Sequence, residues 1–305
     1  MRQVAVKDKS FYLAIAIMIG AAALTAVDTL LVRVISRELD PFAIAFFRSF
    51  FGLIFVLPWI IRKRRRIFQT RYTWLHGVRA ALKILALVAF FHAVSRANLA
   101  QVTAINFTSP IFVTIGAALL LNEKLNITRI MAIAVGFVGV LLIVRPTTDN
   151  FDPFLLLALL GALLTAAIQL VLKSMSGHDS TDTLVAWNLI LMVPLALIPA
   201  SIVWQTPSLP MLGLLAIQGA LGAIGMTAIT KAVSLADVSA IVPFDFLRLP
   251  LVAVGASYFF AQSVDSATWI GAGIIFAAGL IASRRPTQPR LVDAGRDSVV
   301  DPTSR

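Results

Sequence analysis

The chain has 305 residues, of which 59% are hydrophobic and 13% are charged, and it contains no cysteine. This composition excludes an ordinary soluble domain, and the lack of cysteine excludes disulfide and thiolate chemistry. The formal net charge is +11. Because the basic residues lie in short segments between apolar runs, we interpret them as determinants of membrane orientation and exclude nucleic acid as a partner.

Ten apolar segments follow one another along the chain. Residues 1–10 precede the first segment, which is too long for the apolar core of a signal peptide and is therefore expected to remain as a membrane helix. With the exception of the short last one, each segment can cross a hydrocarbon core of about 30 Å. Residues 285–305 are polar and predict a disordered tail. The ten segments cover residues 11–32, 41–61, 74–94, 99–121, 127–144, 154–172, 183–204, 211–233, 238–261 and 269–282.

The distribution of basic residues predicts the orientation of the chain. If the amino terminus is cytoplasmic, four arginines fall on the opposite side of the membrane, namely Arg33, Arg37, Arg96 and Arg145. The cytoplasmic side then receives the larger group, namely Arg62, Lys63, Arg64, Arg65, Arg66, Arg71, Lys124, Arg129, Lys173, Lys231, Arg284, Arg285 and Arg290. This bias predicts a multi-pass protein of the inner (plasma) membrane with both termini in the cytoplasm.

An internal repeat divides the chain into two halves. Leu24-Thr25-Ala26 recurs as Leu164-Thr165-Ala166, Pro110 recurs as Pro250, and Arg145-Pro146 recurs as Arg285-Pro286, each 140 positions later. Each half holds five segments, and an odd number forces the second half to enter the membrane upside down. The predicted fold is therefore an all-α membrane protein of ten transmembrane helices, arranged as two inverted repeats over residues 11–146 and 147–284.

Several motifs of the first half resemble the EamA repeat of the drug/metabolite transporter superfamily. They are Arg48-Ser49-Phe50 in the second segment, the run 97–110 followed by Leu121-Asn122-Glu123-Lys124-Leu125, and Gly136, Gly139 and Arg145-Pro146 at the end of the half. The resemblance covers about residues 11–284 and implies a transporter whose fourth and ninth helices line a central cavity. In the second half Gln262 and Ser263 replace the glutamate, so that motif is degenerate there.

The resemblance says less about the substrate. The second and ninth segments and Asp28 look most similar to bacterial uptake carriers of S-adenosylmethionine or riboflavin type. Amino-acid exporters share the scaffold, so uptake and export both stay open.

Charged residues inside apolar segments are candidates for function, because each costs about 2.5–3.5 kcal/mol at a membrane helix centre on insertion scales. Asp245 and Arg248 are three positions apart, which allows them to pair on one helical face. Pro243 and Pro250 flank them, and prolines weaken the helical hydrogen bonds where a substrate or ion could bind.

The first half supplies further polar candidates. Asp28 and Arg48 lie at similar depth and can pair between neighbouring helices, either as a structural brace or as a substrate contact. Lys83 is a better candidate for function than Arg79, whose side chain we expect to extend to the membrane surface. His92 is interpreted as a packing residue rather than a proton carrier.

The repeat places polar residues of the two halves at corresponding positions: Arg48 with Asn188, Arg79 with Gln218 and Asn106 with Asp245. Aromatic side chains near these positions could stack on a planar ligand or simply pack. The predicted substrate-binding and translocation residues are Asp28, Arg48, Lys83, Asn106, Phe107, Gln169, Trp187, Asn188, Phe244, Asp245 and Arg248.

These features favour a secondary transporter of a small organic metabolite, such as an amino acid, a nucleoside or S-adenosyl compound, or a flavin. Basic residues outnumber acidic ones within the segments, so the metabolite is expected to carry an anionic or zwitterionic group. An exporter on the same fold is the alternative, and a membrane-embedded enzyme is disfavoured because no catalytic, metal or cofactor motif is present. The expected partners are the substrate and the lipid bilayer. The sequence leaves open a coupling proton, with Asp245 and then Asp28 as candidate carriers, and a homodimer.

Overall fold

The computed structural model describes residues 2–121, 127–145, 152–175, 179–235 and 244–283, and all its regular elements in those ranges are α-helices. In the described ranges, seven helical stretches are long and apolar enough to cross a membrane, and three shorter helices are also apolar. The all-helical class predicted from composition is thus confirmed for the described residues. The eleven helices are α1 (Arg2–Ile35), α2 (Pro41–Ile67), α3 (Thr73–Arg96), α4 (Leu99–Asn106), α5 (Ser109–Leu121), α6 (Ile127–Val144), α7 (Phe154–Met175), α8 (Thr181–Ile202), α9 (Leu209–Leu235), α10 (Arg248–Phe260) and α11 (Ser266–Ser283).

A break between α4 and α5 interrupts the apolar stretch 99–121, for which the sequence predicts one continuous helix. The cause is Pro110, which has no N–H to donate to the carbonyl of Asn106 and disfavours helical geometry just before itself. A turn at Phe107 and Thr108 bridges the break, where the N–H of Thr108 donates to the Ile105 carbonyl at 2.9 Å. The prediction of an unbroken fourth helix is therefore wrong.

A second break lies 139 positions later, before α10. Residues 246–247 form a turn, and α10 begins at Arg248, two positions before Pro250. The N–H of Leu249 donates to the Phe246 carbonyl at 3.0 Å, a three-residue span tighter than an α-helical bond. The predicted segment 238–261 is thus interrupted as well, with the proline again just after the break.

The helix ends meet at two ends of the bundle. The α1–α2 end is defined by residues 36–40, and the C-terminal end of α3 and the α8–α9 connection lie beside it. The α2–α3 end is defined by residues 68–72, in which Thr70 contacts Asp179, two positions before α8. Polar side chains cap the helices there: Asp40 accepts from the N–H of Phe42 at 2.9 Å, and Ser180 from that of Thr183 at 3.2 Å.

Helix packing follows a paired pattern. α1 packs against α9, and α3 packs against α7. Each of two other contacts has a counterpart in which the halves are exchanged. The contact of α2 with α9 corresponds to that of α8 with α3, and the contact of α1 with α10 corresponds to that of α7 with α5. Two further contacts, α2 with α8 and α6 with α11, join helices at the same position of the two predicted repeats. Buried apolar side chains from both halves of the chain form one continuous core.

Glycines allow α6 and α11 to approach backbone to backbone. A Cβ atom added to Gly139 would lie 2.8 Å from the carbonyl oxygen of Gly271, and one added to Gly271 would lie 2.8 Å from that of Gly139. Small residues at such crossings are typical of membrane helices, whose association depends on close packing. The glycine contact therefore fixes how closely these two helices pack.

Some expectations lie outside the described residues. They concern the disordered tail 285–305, the proline at 243, the end motif 121–125 beyond its first residue, and the Arg-Pro repeat at Pro146 and 285–286.

We expect Gly139→Ala to destabilise the protein by about 1–3 kcal/mol, because a rigid backbone carbonyl occupies the space for the new methyl group. The matched control is Gly273→Ala on α11, where nothing lies within 4 Å of the added Cβ. That control should be neutral or slightly stabilising, since alanine favours the helix over glycine. Thermal unfolding of the two variants in detergent checks the expectation, and equal melting temperatures would contradict it.

Candidate functional site

An ion pair links α1 and α2 in the bundle interior. Nη2 of Arg48 lies 3.0 Å from Oδ2 of Asp28, and the side chains are 17% and 11% exposed. The guanidinium also lies over the ring of Phe91 on α3, 6.0 Å from its centroid. The predicted pairing of Asp28 with Arg48 is confirmed, and it brings α1, α2 and α3 to one point.

α9 leaves room for this arginine through a glycine. A Cβ atom added to Gly222 would lie 2.6 Å from Nη2 of Arg48, so any larger side chain would displace the guanidinium. Gln218 and Gly225 lie one turn to either side on the same face of α9, and Gly225 faces the hydroxyl of Thr25 on α1. This face of α9 therefore closes the space around the ion pair.

Gln218 is a polar residue that the sequence does not select, although it corresponds to Arg79 in the repeat. Its side chain is fully buried, and neither Nε2 nor Oε1 has a hydrogen-bond partner. Leaving an amide in this state costs about 1–3 kcal/mol per mutational data. A buried amide without partners therefore suits contact with a polar ligand.

α3 carries two further cations toward the α2–α3 end. Arg79 is only 4% exposed, and its Nη1 has no hydrogen-bond partner. The expectation that Arg79 extends to the membrane surface is wrong, because the side chain is buried on a helix that packs against α7 and α8. Lys83 lies one turn further along α3, within electrostatic range of Arg48, Arg79 and Asp28.

The two helix breaks meet each other. The ring of Phe107, which follows α4, lies 5.1 Å from that of Phe246 in the turn before α10. The Arg248 guanidinium lies over the Phe107 ring at 4.7 Å, and its Nη2 is 3.8 Å from Oδ2 of Asp245. The predicted contact between Asp245 and Arg248 is thus confirmed, and Asn106, the last residue of α4, lies next to this cluster in the chain.

Four predicted residues make contacts elsewhere. Gln169 on α7 donates from Nε2 to the Ser109 hydroxyl at 3.2 Å, next to the α4–α5 break. Asn188 on α8 is buried and donates to the sulfur of Met192 at 2.9 Å. Phe244 packs in a small apolar cluster between α1 and α9. Trp187 lies at the α2–α3 end, where it is already engaged by protein groups.

A polar cluster closes the α2–α3 end, and we call it the latch. Oδ2 of Asp179 lies 2.9 Å from Nε2 of His76 and accepts from the Thr70 hydroxyl at 2.8 Å. The Trp187 indole stacks on the His76 ring with centroids 5.5 Å apart and donates from Nε1 to the Ile67 carbonyl at 3.1 Å. His76 and Asp179 are 103 positions apart, so no local sequence pattern could have indicated their contact.

An exposed ion pair accompanies the latch. Nζ of Lys63 lies 2.7 Å from Oδ2 of Asp182, with the side chains 45% and 32% exposed. Together these contacts join α2 and α3 to the α7–α8 region.

The α1–α2 end instead carries a polar cleft of about 240 Å³. It lies beside the C-terminal end of α3. Its lining includes two arginines, two carboxylates and a histidine, among the residues Ser36, Arg37, Glu38, Leu39, Asp40, Pro41, His92, Ser95, Arg96 and Gln205.

Further polar contacts tie the α6, α4 and α11 ends together on this side. Arg145 pairs with Asp265, and Gln262 accepts from the N–H of Leu99 at 3.0 Å. Burial raises the pKa of the Asp265 carboxyl, but hydrogen bonds from Thr268 and Arg145 outweigh that effect and leave the pKa below its ordinary value. Across the described ranges, His, Asp and Glu side chains form no group of three or more that could hold a metal ion.

Comparisons with known proteins place these features in context. The model of the EamA-like transporter family matches residues 12–145. A riboflavin transporter of Rhizobium johnstonii is 33% identical over 79% of this chain and 80% of its own length. An S-adenosylmethionine uptake transporter of Rickettsia bellii is 29% identical over 81% of this chain and 85% of its own length. A pseudopaline exporter of Pseudomonas aeruginosa is 24% identical over 84% of this chain and 90% of its own length.

The fold also occurs among solved structures. One crystal structure aligns with a TM-score of 0.57 at 16% identity, covering 90% of this chain and 96% of the other. At this identity the likeness shows the fold and nothing of the ligand.

We expect Asp28→Asn and Arg48→Met each to destabilise the protein by about 3 kcal/mol or more, because each leaves a buried charge without its partner. The double variant should lose less stability than either single variant. Thermal unfolding in detergent measures this coupling, with Lys63→Met as a control that breaks an exposed pair and should cost less than about 1 kcal/mol. Additive losses would show that Asp28 and Arg48 act independently.

Proposed function

Because the chain belongs to the EamA-like transporters of the drug/metabolite transporter superfamily and is a multi-pass membrane protein, we propose that it is a secondary transporter of a small organic metabolite. The observation that carries this proposal is the 33% identity to a riboflavin transporter over about four fifths of both chains. The interior supports it, since a bundle that served only as an anchor would not need buried charges at its centre.

We propose alternating access between two inverted five-helix halves, residues 11–146 and 147–284. The paired packing supports this arrangement, because α1 with α9 and α7 with α3 are equivalent contacts under a repeat of about 140 positions. The two breaks support it too: Pro110 and Pro250 are 140 positions apart, and each follows an interrupted helix. Broken helices at the contact between inverted repeats are typical of substrate sites in secondary transporters.

The proposed path follows α3. Ser95 and His92 line the cleft at the α1–α2 end, Lys83 lies midway along the helix, and Arg79 and His76 lead to the latch. His76, Arg79 and Lys83 recur at helical spacing and share one side of α3, whereas His92, nine positions after Lys83, lies on the opposite side of the helix. The accessible cleft and the closed latch together support a conformation that is open toward the α1–α2 end.

The basic residues support an assignment of the two ends. We propose that the α2–α3 end is cytoplasmic, and that both termini lie on that side of the inner membrane. The support is the basic run from Arg62 to Arg66 at the end of α2, which Arg71 in the following loop extends.

We propose that the substrate binds between the Asp28–Arg48 pair and the helix breaks. Phe107 and Phe246 offer aromatic surface, and Arg48, Lys83 and Arg248 offer cationic groups. Riboflavin and S-adenosylmethionine, the substrates named for two relatives, both combine a planar ring with polar substituents. A planar metabolite with an anionic or zwitterionic group therefore fits the site. Asn106, Asn188 and Gln169 remain candidate polar contacts at its margin.

Export is the second candidate function. The pseudopaline exporter aligns with 84% of this chain, so the same scaffold serves a protein named for the opposite direction. The direction of net substrate transport distinguishes uptake from export.

Purified protein in proteoliposomes should exchange labelled riboflavin or S-adenosylmethionine for the same unlabelled compound. We expect Arg248→Gln to reduce exchange about tenfold or more, because it removes the cation that contacts both Asp245 and Phe107. The matched control is Arg71→Gln, which changes the same charge at an exposed loop position and should exchange at the wild-type rate. Exchange of neither compound, nor of other planar metabolites, by the wild-type protein would contradict the proposed function.

We expect Asp179→Ala to open the α2–α3 end, because it removes the acceptor shared by His76 and Thr70. The native chain has no cysteine, so a single Lys83→Cys replacement reports access to the interior. A membrane-impermeant thiol reagent should label this probe faster from the α2–α3 side when Asp179→Ala is added. Asp182→Ala, which breaks only an exposed pair, is the control, and an unchanged labelling rate in Asp179→Ala would remove the latch from the gating step.

A further inference from the structure

Arg79 carries a buried charge that the protein does not balance. The side chain is 4% exposed and Nη1 has no hydrogen-bond partner. Within the described ranges no carboxylate forms an ion pair with Arg79. Asp179, which lies at the α2–α3 end, contacts His76 and Thr70 instead. A guanidinium in this environment costs several kcal/mol unless an anion accompanies it.

Lys83 is a second cation without a counter-ion. It lies one turn from Arg79, so the two side chains share one side of α3. The carboxylate within its electrostatic range is Asp28, and Oδ2 of that group is 3.0 Å from Arg48. Lys83 is half-buried. Within the described ranges no carboxylate forms an ion pair with it, which leaves its ammonium available to an anion.

The residue that corresponds to Arg79 in the second half is also polar and buried. Gln218 occupies the corresponding position on α9 and is fully buried, with both amide atoms unpartnered. Both halves thus supply hydrogen-bond donors without partners: Gln218 on α9, and Arg79 and Lys83 on α3. Only those on α3 are positively charged, so α3 is the helix expected to contact a bound anion.

We propose that Arg79 and Lys83 form an anion-binding subsite, which holds the carboxylate or phosphate group of the substrate between the Asp28–Arg48 pair and the latch. This inference rests on the proposed function and adds to it: the anionic group points toward the α2–α3 end, while the planar part of the substrate lies toward Phe107 and Phe246. A guanidinium with a neighbouring ammonium binds such oxyanions through charge-assisted hydrogen bonds.

The direct test uses inorganic phosphate and citrate as probes on full-length protein in an uncharged, phosphate-free detergent. Ionic strength is held constant with sodium chloride, so that only specific binding shifts the melting temperature. We expect both anions to raise the melting temperature of the wild-type protein by several degrees and to leave that of Arg79→Gln unchanged. Arg79→Gln places in the first half the side chain that the second half already accommodates at Gln218, so the variant is expected to fold.

Two further variants separate charge from structure. Arg79→Lys keeps the positive charge and should retain part of the anion effect, whereas Arg71→Gln loses an exposed charge and should retain all of it. An anion effect of equal size in Arg79→Gln and the wild-type protein would overturn the subsite and indicate an adventitious ion only. The absence of any effect in the wild-type protein would overturn it as well.

A second comparison distinguishes this inference from the proposed function and from lipid binding. Riboflavin is matched with its 5′-phosphate ester, which adds an anionic group, and S-adenosylmethionine with its carboxyl methyl ester, which loses the carboxylate charge. We expect the member of each pair that carries the phosphate or carboxylate to bind the wild-type protein at least about tenfold more tightly, and this preference to vanish in Arg79→Gln. Equal binding of both members with transport intact would overturn the subsite but leave the transporter standing. A preference that appears only after anionic lipid is removed would identify a lipid headgroup as the bound anion and overturn the substrate assignment.

Discussion

The cost of placing charge inside a low-dielectric bundle governs this structure. Each charged side chain at a membrane helix centre costs about 2.5–3.5 kcal/mol on insertion scales, and this protein meets that cost by pairing. Asp28 with Arg48 and Asp245 with Arg248 are matched sets, and each joins an arginine to an aromatic ring as well. Arg79 and Lys83 break the rule within the described residues. The exceptions are therefore the informative groups, because a functional ligand is the simplest source of the missing charge.

Close helix packing makes these charge pairs possible. Gly222 allows the Arg48 guanidinium to lie against α9, and Gly219 allows the backbones of α2 and α9 to approach, since its added Cβ would lie 2.8 Å from the Gly52 nitrogen. The same device joins α6 and α11 at Gly139 and Gly271. At the crossing of α6 and α11 the glycines allow close backbone packing, whereas at the crossing of α2 and α9 Gly222 also leaves room for a charged side chain. Packing and site chemistry thus depend on the same residue type for different reasons.

The sequence predicted those contacts that depend on residue spacing along one helix or on the high free-energy cost of burying a charge. Asp245 and Arg248 are three positions apart on a helical face, and Asp28 and Arg48 are charges of opposite sign at similar depth, so the sequence indicated that each pair can form. The contact of His76 with Asp179 could not be predicted, because it depends on how distant helices pack. The prediction for Arg79 was wrong for the same reason: its position near the helix end suggested access to water, whereas the packed bundle buries the side chain.

The helix breaks connect these observations to movement. A continuous helix resists bending, whereas a turn before proline lacks a backbone hydrogen bond and concentrates flexibility at one place. The two breaks contact each other through Phe107 and Phe246, and Arg248 bridges them to Asp245. A ligand that competes for Arg248 or for the aromatic surface would therefore act on both helices at once. The latch, which joins α2 and α3 to the α7–α8 region, lies at the bundle end opposite the cleft. α4 contacts both α3 and α7, so it connects the break at Phe107 with the helices that lead to the latch.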